Sequence, residues 1–415
     1  MRGSKPKSGE RVARFTPSPS DFAVEEIARL PLLRSGPFTL YRPSKRSLTA
    51  LEAQQRIASA LGVPAAAIAF PALKDREARS VQLATLRGQG PDLVEGLGFR
   101  AQRLGFAGRR LTAIDLAGNR FTAVVRDLSP EQATCLAALL AGLQANGFPN
   151  YFDQQRFGSY AAGHDWIGKL ILRRDAEGAL RSHLAQPFVG DPALVRKFKS
   201  EARRHWGDWR YLLQVAPKPS NFRSVLTFLA DHPLEYRKAL NLVTPRLLSL
   251  YLAAYQSLLW NRLAARYLLR ALRGARGWPA ATLQVAGEDV PFYSPHSQPV
   301  LSDLRQVALP LFQQRMTRPD PTLSVLIDGI LAEEGIGQAD LKARLLVRAY
   351  LTRGSRALLV FPSEVHFGAL SPDESAAGWH KATVAFVLPR SSYGTLVLKL
   401  LVRMVTQAPD QAERA

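Results

Sequence analysis

The chain has 415 residues, long enough for two cores, and its 47% hydrophobic and 21% charged residues are the balance of a soluble globular protein. Lys and Arg number 55 against 34 Asp and Glu, a formal net charge of +21 that favours a polyanionic partner. One cysteine, Cys135, excludes an intrachain disulfide and a cysteine-rich zinc site, and the seven histidines include no His-x-x-x-His or His-Glu-x-x-His pattern, so no metal is expected.

Residues 1–19 are basic, rich in Ser and Pro, and read as a flexible N-terminus. They lack the apolar core of a secretory signal, so a cytoplasmic location is the expectation. DFAVEEI (Asp21–Ile27) alternates Phe22, Val24 and a glutamate, the period of a strand. Thr49-Ala-Leu-Glu52 is a capping box that opens a helix over 50–61, stopped by Gly62 and Pro64. The apolar run Ala66–Phe70 and the polar run Val81–Leu86 read as strands on either side of a charged loop. That loop holds one carboxylate, Asp75, between Lys74 and Arg76 and close to Arg79. Cations on both sides keep such a carboxylate ionised. A surface ion pair without chemistry is the other reading of the triplet.

The stretch 110–128 reads as a hairpin with Gly118-Asn119 at its turn. Ser129-Pro-Glu-Gln132 is a second capping box, and its helix should end near Asn146, before Gly147. After Gly158 the chain is helical and rich in Arg, Trp and Leu. Thr244-Pro245 opens a long helix with an apolar stripe of Leu248, Leu252, Tyr255, Leu259 and Leu263. The long apolar segment Leu247–Leu272 carries Arg262, Arg266 and Arg270, so no membrane span is expected. Residues 287–300 read as loop, Asp340–Leu351 as helix, Ala357–Pro362 and Ala382–Leu388 as strands, and Thr395–Val405 as a closing helix. Residues 407–415 read as a flexible C-terminus. Mixed segments at both ends around a helical block suit an α+β domain built from both termini with a second domain inserted. Two consecutive domains fit the composition equally well.

No Gly-rich phosphate loop, dinucleotide fingerprint or Gly-x-Ser-x-Gly elbow is present, which argues against kinases, Rossmann methyltransferases and serine hydrolases. NYFDQQRFG (Asn150–Gly158) sets Tyr151, Phe152 and Phe157 beside Arg156, a platform able to stack bases and hold phosphate, or else a packed strand–turn corner. The run 196–211, RKFKSEARRHWGDWRY, interleaves cations with aromatics; it is an RNA-facing patch or an amphipathic helix with snorkelling cations.

Six segments, in order, resemble the TruD family of pseudouridine synthases: DFAVEE (Asp21–Glu26), ALKDREARSVQ (Ala72–Gln82), GNRFT (Gly118–Thr122), NYFDQQRFG, AYQSLLWN (Ala254–Asn261) and FVLPRSSYGT (Phe386–Thr395). The resemblance implies an α+β fold, a mixed or largely antiparallel sheet core with helices, carrying a helix-rich insertion. The discontinuous catalytic domain is then 20–157 with 340–406, and the inserted domain is 158–339. The resemblance also implies residue roles. Asp75 matches the catalytic aspartate. Phe22 and Asn119 match positions that contact the target nucleotide, Tyr393 stands near the base where the family has Phe, and Phe121 borders the pocket. Lys74 and Glu25 match motif residues at the substrate, while Arg76, Arg79, Arg156 and Tyr151 are candidates for holding RNA. Three departures stand out: Ala72 where the family has Gly, Asp153 where a small residue is common, and Tyr393 for Phe.

The activity implied is isomerisation of a uridine, in tRNA or another structured RNA, by a monomer without metal, cofactor or membrane attachment. The base never leaves the pocket, so no water needs activating and one carboxylate suffices, unlike hydrolysis with its two. An inactive RNA chaperone of the same fold is the alternative. A nuclease is a third reading, disfavoured by the missing metal and paired-carboxylate patterns.

Overall fold

The computed structural model describes residues 12–46, 48–72, 79–275, 278–295, 301–318 and 320–407. The chain divides into two compact units. One comprises Met1–Phe148, Ser294–Gln298 and Val360–Ala415, the other Pro149–Tyr293 and Pro299–Leu359. These seams differ from those drawn on the sequence at 157/158 and 339/340.

The first unit is built on a mixed sheet. Its strands include β1 (Phe22–Ala28), β2 (Phe38–Lys45), β3 (Ile68–Ala69), β4 (Arg79–Val81), β5 (Ala84–Arg87), β6 (Leu93–Gly96), β7 (Phe99–Ala107) and β8 (Leu116–Leu128). The C-terminal strand His380–Pro389 lies beside β8, and the order continues β1, β4, β2, β5, β3. Among the described residues the pairings are antiparallel except β1 with β4. Helix α1 (Ala50–Ala60) has the expected capping box, with Thr49 accepting from Glu52 N–H and Glu52 accepting from Thr49 N–H. Helix α2 (Pro130–Asn146) repeats the device with Ser129 and Gln132 and ends at Gly147, whose φ is +68°. The C-terminal helix Gly394–Gln407 packs on α2, burying Leu396, Leu400 and Leu401.

Three local expectations give way. Gly118-Asn119 is no turn: both lie inside the 13-residue strand β8 and pair with Ile27 and Glu26 on one side and with Pro389 and Leu388 on the other. Gly118 is needed for close approach, because a Cβ there would collide with the Leu388 carbonyl oxygen. The run 81–86 is two strands, because at Gln82 the backbone N–H turns to the Pro43 carbonyl (2.9 Å) and at Leu83 to the Glu26 carboxylate (3.0 Å). Ala72 carries no positive φ, so its side chain imposes no left-handed strain there.

The second unit is mainly helical. Helices Ile167–Leu172, Ala176–Ala185 and Ala193–Arg204 precede the long helix Pro245–Ala271, on which Pro321–Glu334 also packs. Leu248, Leu252, Tyr255, Leu259 and Leu263 of the expected stripe are all buried. Residues 287–300, read as loop, begin with a strand: Glu288–Phe292 pairs with Ala281–Val285 across Ala286 and Gly287, both at positive φ, as a tight hairpin turn requires. The helix expected over 340–351 is a single 3-10 turn, Asp340–Lys342, closed by Ala343 in the left-handed region.

Candidate active site

Strand alternation sorts the expected residues onto two faces of the first unit's sheet. In β1, Phe22, Val24 and Glu26 are buried while Ala23, Glu25 and Ile27 are partly exposed. Opposite residues on paired strands share a face. One row therefore runs Ser80, Val24, Phe121, Phe386, and the next holds Glu26, Asn119, Leu388. Phe22 stacks on Phe121 with centroids 6.2 Å apart and planes 15° apart, and Phe121 on Phe386 at 5.6 Å. Such pairs contribute about 0.5–1.5 kcal/mol beyond area burial. The C-terminal helix starts on this face: a Cβ on Gly394 would strike the Phe121 ring, so the glycine lets the helix meet the stack. Tyr393 immediately precedes it and stays partly exposed, as does Asn119.

Phe22 and Phe121 are only 5% and 7% exposed. Each already stacks on another ring. They form a wall, and Tyr393 is partly exposed. Glu25 is not brought to this face. It lies on the opposite side of the sheet with Arg120, paired to Arg42, while Arg120 pairs with Glu364. Arg79, exposed, sits across from Ala23 on that same far side.

Glu26 is the residue that the sequence reading passed over. Only 5% exposed, its carboxylate accepts from Gln82 Nε2 (3.0 Å) and from Leu83 N–H (3.0 Å). The same Gln82 Nε2 donates to the Ala72 carbonyl at 3.0 Å. The signal was in the alternation itself, since Phe22, Val24 and Glu26 are two residues apart. Asp75, Lys74 and Arg76 lie outside the described residues, but the chain on either side of them is fixed: Ala72 by Gln82, Arg79 by pairing with Ala23.

In the second unit, Tyr151 is fully buried, donates from its hydroxyl to the Pro291 carbonyl (3.1 Å) and meets Phe292 edge-on, so it presents no face to a ligand. Burial pushes its phenol well above the ordinary tyrosine range. Asp153 is also buried and caps the turn Gln154–Phe157, accepting from Gln154 N–H at 2.7 Å; it adds no charge to a surface. Phe152 and Asn261 exchange two hydrogen bonds, both 2.9 Å, and Arg156 Nε donates to Ser257 Oγ at 3.0 Å. NYFDQQRFG and AYQSLLWN are thus two halves of one packed joint. In the run 196–211, Phe198 and Trp209 are buried and Arg196, Lys197, Arg203 and Arg204 exposed, the amphipathic-helix arrangement.

Among the described residues no three His, Cys, Asp or Glu side chains are grouped to hold a metal ion, and no helix is long and apolar enough to cross a membrane.

Comparison with known proteins gives the family. The family model described as tRNA pseudouridine synthase D (TruD) matches residues 10–401. The tRNA pseudouridine synthase D of Geobacter sulfurreducens is 31% identical over 403 residues, covering 94% of this chain and 93% of that protein. That of Aquifex aeolicus is 25% identical, covering 94% and 97%. In fold, the chain is similar to the crystal structure of a Methanosarcina mazei protein provisionally assigned as tRNA pseudouridine synthase D, with a TM-score of 0.69, 21% identity and coverage of 95% and 93%. The chain belongs to the TruD family of tRNA pseudouridine synthases.

Proposed function

We propose that this chain converts a uridine of tRNA to pseudouridine, with Asp75 as the reacting carboxylate and the Phe22–Phe121–Asn119 face of the first unit as the wall of the uridine site. The bond from N1 to C1′ breaks, the base turns, C5 bonds to C1′, the C5 proton leaves and N1 takes a proton. Nothing is oxidised and no phosphoryl group moves, so the reaction calls for no cofactor. Asp75 acts at the sugar, either adding to C1′ or taking a ribose proton on the way to a glycal.

The target base must leave its stack, at a cost of a few kcal/mol. Stacking on one ring returns roughly 1–3 kcal/mol, and Tyr393, partly exposed beside the Phe121 stack, is the candidate ring. Asn119, in the row of Glu26 and Leu388, has an amide for an edge of the uracil. Lys74 and Arg76 adjoin the reacting carboxylate in sequence and add positive charge there, and the net charge of +21 supplies affinity for the rest of the RNA. The first unit is the catalytic domain and the second the family-specific insertion. The protein works as a monomer in the cytoplasm, without metal.

One observation supports this reading best. The residue that leads into the Asp75 stretch, Ala72, is bonded through Gln82 to Glu26, and Glu26 is paired directly with Asn119. The test is to treat unmodified tRNA with purified protein and map pseudouridine at single-nucleotide resolution. Product with wild type and none with Asp75→Asn supports the isomerase. RNA binding without product supports an inactive chaperone, and strand scission a nuclease.

A further inference from the structure

The second unit has an open-mouthed hollow of about 690 Å³ between the segments 313–315 and 341–353. The isomerisation proposed above uses none of the residues that line it. Four of them are cations, Arg315, Lys342, Arg344 and Arg353, and none is an acid. All four are exposed, and their side chains make no hydrogen bond or ion pair among the described residues. Acids are close by in sequence, yet each is engaged elsewhere. Asp320 caps the helix Pro321–Glu334, Asp328 takes Arg318, Glu333 takes Arg266, Glu334 takes Arg262 and Lys169, and Asp340 takes Arg174. Like charges gathered in one concavity repel one another and draw an anion from outside.

The cations stand on a fixed backbone. Gln256 of the long helix, 2% exposed, donates to the Phe312 and Thr352 carbonyls, both at 2.8 Å, and accepts from Thr352 N–H at 3.2 Å. That clamp holds the two segments side by side. Asn241 binds the Leu345 carbonyl at 3.0 Å and Val347 N–H at 2.9 Å. Leu341, Leu345, Leu346 and Leu351 are buried, which leaves Lys342, Arg344 and Arg353 turned outward. Groups held in place give up less freedom on binding than those of a loose charged loop. Tyr350 lines the same hollow, 67% exposed, its hydroxyl donating to the Val347 carbonyl at 2.7 Å. An exposed ring tethered in this way is a platform for a base.

The combination selects the ligand. A bare anion has no use for the ring, and an acidic peptide leaves it without a flat partner. Planar guanidinium groups match phosphate oxygens, and a nucleobase matches the ring. We propose that this hollow grips an unpaired segment of the substrate RNA, its phosphates on the four cations and one unstacked base on Tyr350. The inference rests on the tRNA-modifying role proposed above and adds to it the place where the second unit holds the RNA.

The test uses the full chain and unmodified tRNA, with affinity read by fluorescence anisotropy over a salt series. Arg344→Gln combined with Arg353→Gln should weaken binding about tenfold and flatten the log–log salt slope by about two. The same charge removed at Arg270 and Arg273, exposed cations that do not line the hollow, should change affinity by less than about twofold. Tyr350→Ala should cost about tenfold, and Tyr350→Phe, which keeps the ring, nothing. Every one of these side chains is exposed, so the fold does not depend on them. In turnover, the Arg344 and Arg353 pair of changes should raise KM for tRNA and leave kcat as it was. Equal losses from the two arginine pairs, no loss from the first pair, or no loss from Tyr350→Ala would each overturn the proposal. Failure of the wild type to make pseudouridine would instead strike the isomerase reading, and the binding series would still judge the hollow.

Discussion

Gln82 and Glu26 are joined by a 3.0 Å hydrogen bond that crosses from the end of β4 to β1, and the same Gln82 nitrogen reaches the Ala72 carbonyl. Leu83 N–H gives the glutamate a second donor. The buried carboxylate therefore ties down the chain on both flanks of the stretch that carries Asp75. Replacing Glu26 with Gln keeps the shape but sets an amide N–H₂ against one of these donors. Leaving one buried group unsatisfied costs about 1–3 kcal/mol. Expected is a kcat lowered roughly 10- to 100-fold with RNA affinity unchanged, since a small displacement of a reacting group costs that much. Single-turnover rates beside filter-binding affinities check it; equal loss in both would mean that Glu26 only supports folding.

Gly394 sits against the Phe121 ring, which Phe22 and Phe386 hold from either side. Gly394→Ala forces ring or helix to shift, and overpacking of this kind costs about 1–3 kcal/mol. Expected is a lower melting temperature and a raised KM for tRNA, checked by calorimetry and steady-state kinetics.

These two predictions fall where the sequence was readable to different depths. The helix ends at Thr49, Ser129 and Gly147 were legible because capping is local: a side chain satisfies donors three residues away. The alternation of β1 was legible too, and with it the face of Phe22. Gly118-Asn119 was not, because a turn and a close approach between strands ask for the same small residue, and only the Leu388 carbonyl decides between them. Nor was the burial of Tyr151, which depends on a hairpin 140 residues further along. The partner of Glu26 is 56 residues away in sequence, beyond the reach of any local pattern.

Arg126 gathers three carboxylates: Asp21 at 2.8 and 3.0 Å, Asp373 at 2.8 Å and Glu374 at 3.0 Å. The Arg126 hydrogen bond holds Asp21 below the usual carboxylate range. Burial pushes Asp373 up, but hydrogen bonds from Ser375, the Asp127 N–H and Arg126 outweigh it and hold it at about 2. A carboxyl depressed in the folded state stabilises it above the unfolded pKa and ceases to do so as pH falls through the folded value. Urea midpoints should therefore hold near neutrality and drop between about pH 4 and pH 2. Arg126→Met leaves Asp373 buried without its cation, a loss of roughly 3–5 kcal/mol, and should move the acid transition to higher pH.

If the exposed cations of the helix Ala193–Arg204 meet the RNA, they would do so through charge alone. A footprint of about six phosphates loses roughly 10³-fold in affinity between 50 and 200 mM salt. Lys197→Glu should weaken binding alike across RNA sequences and flatten the log–log salt slope by about one. Affinity indifferent to ionic strength would count against the phosphate contribution.

The central claim is that one carboxylate, Asp75, carries the isomerisation, and the proton that leaves C5 reports it directly. Unmodified tRNA labelled with tritium at C5 of uridine, mixed with excess enzyme, should release tritium to water in step with pseudouridine formed. Asp75→Asn should release it at least 10²–10⁴-fold more slowly while binding the RNA as tightly. Undiminished tritium release from the Asp75→Asn protein would contradict the account.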